Sequence, residues 1–76
     1  MENKILEIIN TVLINKSYQK LNSINPSLHL RNDIGFDSFD LAELTVRIEA
    51  EFDVDIFKDG IVNSVGEIFA KIENKP

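Results

Sequence analysis

Few groups in this chain have chemistry to offer. There is no cysteine, so the polypeptide brings no thiolate nucleophile or ligand, and with one histidine, His29, a structural zinc site lacks donors. Hydroxyls and carboxylates remain, and the stretch Asp33-Ile34-Gly35-Phe36-Asp37-Ser38-Phe39-Asp40-Leu41 brings them together. Gly35 permits a tight turn. Asp37 and Ser38 fall where a helix begins, and short oxygen-bearing side chains there accept from unpaired backbone N–H groups. Capping is the ordinary role of such a serine. A Ser38/His29/Asp triad would need a preformed base and an oxyanion hole, for which a domain this small has little room. Gly35-Phe36-Asp37-Ser38-Phe39 also lacks the second glycine and the strand–turn–helix setting of a nucleophile elbow. Asp53-x-Asp55 followed by Asp59-Gly60 opens like a calcium loop, but Phe57 and Lys58 stand where the third oxygen ligand and the invariant glycine belong. The remaining carboxylates fall on helix faces expected to be solvated, where no desolvation tunes one as an acid. The chain is not expected to be an enzyme, nor to bind a metal.

The elements that must position Ser38 follow from hydrophobic spacing. Ile5, Leu6, Ile8, Ile9, Val12 and Leu13 recur at helical intervals and predict an amphipathic helix over about residues 2 to 15. Periodicity then fails from Lys16 to Asp37. Asn22-Ser23 and Asn25-Pro26-Ser27 are turn chemistry, and Leu21, Ile24, Leu28, Leu30 and Ile34 are scattered anchors for a long loop. A loop of this length in a small domain is uncommon unless it serves a site. The second helix starts at Asp37 or Ser38 and ends near Asp53. Leu41, Leu44, Ile48 and Phe52 form its buried stripe, Asp40, Glu43, Arg47, Ala50 and Glu51 its polar side, and Phe39 and Val46 lie off the stripe. Asp40 and Glu43 place negative charge against the positive end of the helix dipole. Val54 and Ile56 alternate with acidic residues and are expected to return to the core. Residues 57 to 62 suit one short helical turn interrupted by Gly60. Ser64-Val65-Gly66-Glu67 has capping-box spacing and opens a last helix over about residues 64 to 74, buried through Val65, Ile68, Phe69 and Ile72, with Asn74-Lys75-Pro76 fraying. The expected architecture is all-α: one domain over residues 1–76, a small four-helix bundle of three main helices and one short one, with a long first connection.

Composition narrows the function classes. The 76 residues carry thirteen acidic and eight basic side chains, for a formal charge of −5. That balance repels phosphate backbones, so charge argues against nucleic acid as a ligand class, and a basic partner surface is the natural complement. No apolar run is long enough to span a membrane, and no sustained apolar segment follows Met1-Glu2-Asn3-Lys4 as a secretory signal would require. A cytoplasmic monomer is expected.

With these elements in place, a family resemblance becomes specific. Ile34-Gly35-Phe36-Asp37-Ser38-Phe39-Asp40-Leu41-Ala42-Glu43-Leu44 resembles the Leu-Gly-x-Asp-Ser-Leu-x-x-x-Glu-Leu signature of acyl carrier proteins. Ile48-Glu49-Ala50-Glu51-Phe52-Asp53-Val54-Asp55-Ile56 is similar to that family's Leu-Glu-Glu-Glu-Phe-Asp-x-x-Ile, and the likeness extends over essentially the whole chain. The resemblance implies that Ser38 carries 4′-phosphopantetheine in a phosphodiester link, installed from coenzyme A by a phosphopantetheinyl transferase, with Asp37 as cap and recognition residue. It further implies that Asp37, Asp40, Glu43 and Glu49 meet basic patches on acyl-transferring, ligase or synthase enzymes, and that Phe39, Val46 and Ile56 are apolar contacts around the arm. A phosphodiester at a helix N-terminus is physically apt, and the arm would supply the thiol that the polypeptide lacks. Arg47 and Ala50 stand where the family is often apolar and acidic, Phe39 replaces a leucine and Phe57 a proline. The implied function is to present acyl intermediates of fatty-acid, polyketide or other specialised acyl pathways. Aminoacyl or peptidyl carriers more often show Gly-Gly-x-Ser and a more basic second helix. An unmodified helical adaptor and a small Ser38 hydrolase are the readings from other classes.

Overall fold

The apolar spacing near the start of the chain closes into helix α1, Glu2–Asn15. The computed structural model describes residues 1–74; Lys75 and Pro76, expected to fray, lie outside the described residues. Ile5, Ile8, Ile9, Val12 and Leu13 of α1 are buried, each contributing about 1.5–3 kcal/mol of hydrophobic stabilisation. Beyond Lys16 the chain reverses through Ser17 at φ +66°. The amide of Ser17 donates to Ile14 C=O at 2.9 Å and that of Tyr18 to Leu13 C=O at 2.9 Å, closing the helix end in a Schellman-type turn. A polar residue at a helical position inside α1, Asn10, is buried with it. Its amide Nδ2 donates to Leu21 C=O at 3.0 Å and its Oδ1 accepts from Leu21 N–H at 2.8 Å, which ties the long loop to α1 and satisfies both halves of the buried amide.

Helix α2, Ser38–Phe52, packs against α1 through Leu41, Leu44 and Ile48. It ends at Asp53, which takes the left-handed conformation at φ 58°, ψ 40°. Helix α3, Val65–Glu73, buries Val65 and Ile68, while Phe69 and Ile72 are half-buried against the same core. The Ser64-x-x-Glu67 capping box forms only in half. Glu67 N–H donates to Ser64 Oγ at 3.3 Å, but the Glu67 carboxylate accepts from Asn63 N–H at 2.9 Å instead of closing back on Ser64. The start of α3 is instead laced to the long loop. Leu30 N–H donates to Asn63 C=O at 2.8 Å, Val65 N–H to Leu28 C=O at 2.9 Å and Gly66 N–H to Pro26 C=O at 2.9 Å, with one antiparallel bridge between His29 and Ser64. The backbones approach so closely that a Cβ on Gly66 would lie 2.8 Å from the Pro26 carbonyl oxygen.

The fold is all-helical, with three helices and no strand among the described residues. The expected fourth, short helix does not form. Asp55 Oδ1 takes the Phe57 N–H at 3.0 Å, Lys58 and Gly60 donate only to residues three back at 3.3 Å, and Gly60 at φ +142° leads into residues 61–63, which have no regular structure. A local side-chain bond thus replaces the first helical bond, and the segment remains a run of turns. Val54 and Ile56 do return to the core, Val54 half-buried and Ile56 completely. No described helix is long and apolar enough to cross a membrane.

Candidate functional site

The start of α2 is built by residues from three parts of the chain. Asp37 is the N-cap, with extended backbone at φ −98°, ψ −173°. Its Oδ1 accepts from Asp40 N–H at 3.0 Å, and the Asp40 carboxylate accepts from Asp37 N–H at 2.9 Å, completing a reciprocal capping box. Gly35, at φ +89°, makes the turn that feeds the chain into this cap, a backbone conformation that residues with a Cβ resist. Lys16, just past α1, fixes the turn from behind: its ammonium donates to Gly35 C=O at 3.4 Å and to the same Asp40 oxygen that takes the Asp37 amide. The ammonium also lies 4.4 Å from the centre of the Tyr18 ring.

The electrostatics follow from this wiring. Burial alone would push the Asp40 carboxyl up, but the hydrogen bonds from Lys16 and Asp37 outweigh it and hold it below the ordinary aspartate range. The bond to Asp40 in turn raises the Lys16 ammonium. Glu43 is lowered by the hydrogen bond from Asn15, at 2.9 Å, and then by Arg47, whose Nε lies 2.8 Å from the same carboxylate.

Because Asp37 is the cap, the Ser38 hydroxyl is not used for it. Ser38 is the first residue of α2 and is exposed. Its oxygen accepts from Arg31 Nη2 at 3.2 Å. His29 is not its partner: His29 Nδ1 accepts from Asn32 N–H at 3.1 Å, and the His29 amide donates to Asp33 at 2.7 Å, so the histidine shapes the loop. Ser38 and Arg31 stand at an open groove of about 410 Å³ whose other walls are Leu41, Ala42, Thr45 and Phe57. A larger depression of about 610 Å³ lies away from the serine, between the turns after α2 and helix α3, where Asp59 and Lys71 pair at 3.6 Å.

The residues singled out in the sequence separate in space. Ser38, Asp37, Phe39, Val46 and Glu49 are all exposed, with Phe39 86% and Val46 68% open to solvent. Phe39 and Val46 are two turns apart on one side of α2. Glu43 is half-buried and already bonded to Asn15 and Arg47. Two placements differ from expectation. Asp40 was expected on the solvated polar side but is only 8% exposed, because the capping box and Lys16 enclose its carboxylate. Ile56 was expected beside the arm but is 0% exposed, since its alternation with Asp53 and Asp55 turns it fully into the core. Two residues with roles here, Arg31 and Lys16, were not singled out in the sequence. Both lie where periodicity fails, and the one signal available was a cation seven residues ahead of a serine expected to carry a phosphate. Ile61, 78% exposed on the irregular segment before α3, was likewise missed.

The arrangement fits a phosphate ester on Ser38. The oxygen is accessible, the first-turn amides of α2 lie beside it, and a guanidinium already contacts it. No solved structure matches the fold. The sequence matches the family described as the phosphopantetheine attachment site over residues 3–71, nearly its whole length, and the chain belongs to that family of carrier domains, which hold 4′-phosphopantetheine covalently on a serine.

Proposed function

We propose that Ser38 is the attachment serine and that the protein is an acyl carrier, holding acyl intermediates of a fatty-acid, polyketide or other specialised pathway and offering them in turn to separate enzymes. One observation carries this reading: an exposed hydroxyl at the first position of α2, released from capping by Asp37 and touched by a cation. When bound, phosphopantetheine supplies the thiol on which an acyl group is held as a thioester. The chain's own part is to anchor and present. Lys16, Gly35, Asp37 and Asp40 fix the backbone on either side of Ser38, so its Oγ enters a transferase active site from a defined direction. Among the described residues none supplies a base to Ser38, and the chain does no catalysis itself; in the modifying reaction the Ser38 oxygen displaces adenosine 3′,5′-bisphosphate at the pantetheine-bearing phosphorus of coenzyme A, and the hydroxyl proton leaves to a base of the transferase.

Docking falls to the outer side of α2. Phe39 and Val46 supply an apolar stripe, and Asp37, Glu43 and Glu49 the charge beside it, suited to enzymes with Lys/Arg patches. Charge of this kind sets orientation and on-rate more than affinity, as suits a carrier that must release each partner. Asp40 and Ile56 act from inside, Asp40 by holding the cap and Ile56 by filling the core. The protein works as a cytoplasmic monomer.

The test is direct. Incubation of the apo protein with coenzyme A, Mg²⁺ and a broad-specificity phosphopantetheinyl transferase adds one phosphopantetheine to the intact mass, and Ser38→Ala adds none. A folded wild-type protein that gains no mass would sink the carrier reading in favour of an unmodified adaptor.

A further inference from the structure

Arg31 is placed as no structural role requires. It lies on the exposed loop ahead of α2, and among the described residues it forms no ion pair, although the chain carries a net charge of −5. Arg47, the other arginine, is by contrast paired with Glu43 at 2.8 Å. The hydrogen bond that the Arg31 guanidinium makes goes to a neutral hydroxyl, Ser38 Oγ at 3.2 Å, a weak return for a cation on a chain of net charge −5. The picture changes once Ser38 bears a phosphodiester. Its two non-bridging oxygens share a negative charge and lie two bonds beyond Oγ, the atom that the Arg31 guanidinium already contacts at 3.2 Å.

We infer that Arg31 is the phosphate-binding residue of the modified protein: its guanidinium, resting on Ser38 Oγ beforehand, holds the phosphodiester through charge-assisted hydrogen bonds once the arm is attached. The inference rests on Ser38 being the attachment site and adds a residue to it. The chemistry favours arginine, because a planar fork matches phosphate oxygens where a lysine offers only a point charge. The contact also directs the arm. Arg31 is one wall of the groove formed with Leu41, Ala42, Thr45 and Phe57, so a phosphate held there starts the arm along that groove. Arg31 is exposed and forms no ion pair among the described residues, so its replacement leaves the core and the Asp37–Asp40 cap untouched.

The experiment compares apo and modified protein, ¹⁵N-labelled, by the Nε–H resonances of its arginines and by the ³¹P resonance of the phosphodiester. On modification the Arg31 Nε–H signal moves while that of Arg47 stays as an internal control. In the modified Arg31→Gln protein the ³¹P line shifts and narrows relative to wild type, and Arg31→Lys falls between the two. Raising the salt concentration moves the wild-type ³¹P line toward the Arg31→Gln position, as screening of an exposed pair requires. An Arg31 signal that is the same before and after modification, or a ³¹P line indifferent to Arg31→Gln, overturns the inference while leaving Ser38 as the attachment site. Absence of the mass gain on wild-type protein overturns both.

Discussion

Two helices of this protein begin with a serine, and the two serines do opposite work. Ser64 precedes α3, is half-buried, and its hydroxyl accepts from Glu67 N–H; it is the cap. Ser38 lies one position further in, as the first residue of α2, exposed, with its hydroxyl accepting from the Arg31 guanidinium. The difference is made by the preceding residue. Asp37 takes over the cap at α2, and Asp40 closes the box with Lys16 behind it. At α3 the box is left half-closed because Glu67 turns to Asn63, and the loop backbone stabilises the helix start instead. One helix start is thus held by side chains that leave a hydroxyl over, and the other by backbone that leaves none.

Exchanging the two serines for alanine breaks the comparison most sharply. Ser38→Ala abolishes phosphopantetheine transfer, read by intact mass, and leaves the denaturation midpoint nearly unchanged. Ser64→Ala keeps full transfer and loses about 1 kcal/mol in urea titration, the usual worth of an N-cap. Next in size is the support behind Asp37. Asp40→Ala removes the return half of the box and leaves the Lys16 ammonium without its acceptor, and a loss of about 2 kcal/mol is expected by chemical denaturation. Gly66→Ala tests the backbone-held start. The gain in helix propensity of about 1 kcal/mol is outweighed by a Cβ meeting the Pro26 carbonyl oxygen at 2.8 Å, so a net loss of about 1 kcal/mol is expected. Transfer to Ser38 proceeds normally in that variant.

The smallest effect concerns pH. The folded-state pKa values of Asp40 and Glu43 lie below their unfolded values, so their contribution is fully present above about pH 4 and is lost as pH falls through the lower folded values. Lys16 is shifted the other way: its contribution is complete below about pH 10 and disappears as pH rises through its raised folded value. Stability followed by circular dichroism should therefore fall at both extremes, and Asp40→Asn should flatten the acid limb.

The helices were legible in the sequence because each has a period to read. Leu41, Leu44 and Ile48 mark α2 before any coordinate is seen, and Asp37-Ser38 marks its first turn. Asp40 was not legible in the same way. Three positions past the cap, a carboxylate faces solvent or is enclosed depending on what packs above it, and that is Lys16, 24 residues earlier in the chain. The alternation around Ile56 turns it and Val54 inward, but it does not say that Ile56 is enclosed completely while Val54 is left half-buried. The absent fourth helix has a local cause, the Asp55 carboxylate taking an amide that a helix would have used. Arg31 had no periodic or turn signal at all, and its importance appears only through the contact with Ser38.

The lacing of residues 26–30 to residues 63–66 has a consequence for how the molecule comes apart. These bonds join segments separated by the whole of α2 and the turns after it, so they raise the share of distant pairings in an otherwise local, helical topology. Once formed, they make the loop and α3 a single cooperative unit. The amides of Leu30, Val65 and Gly66 are then protected from exchange by one shared opening event, and the last helix cannot melt while the loop that delivers the chain to Ser38 stays in place.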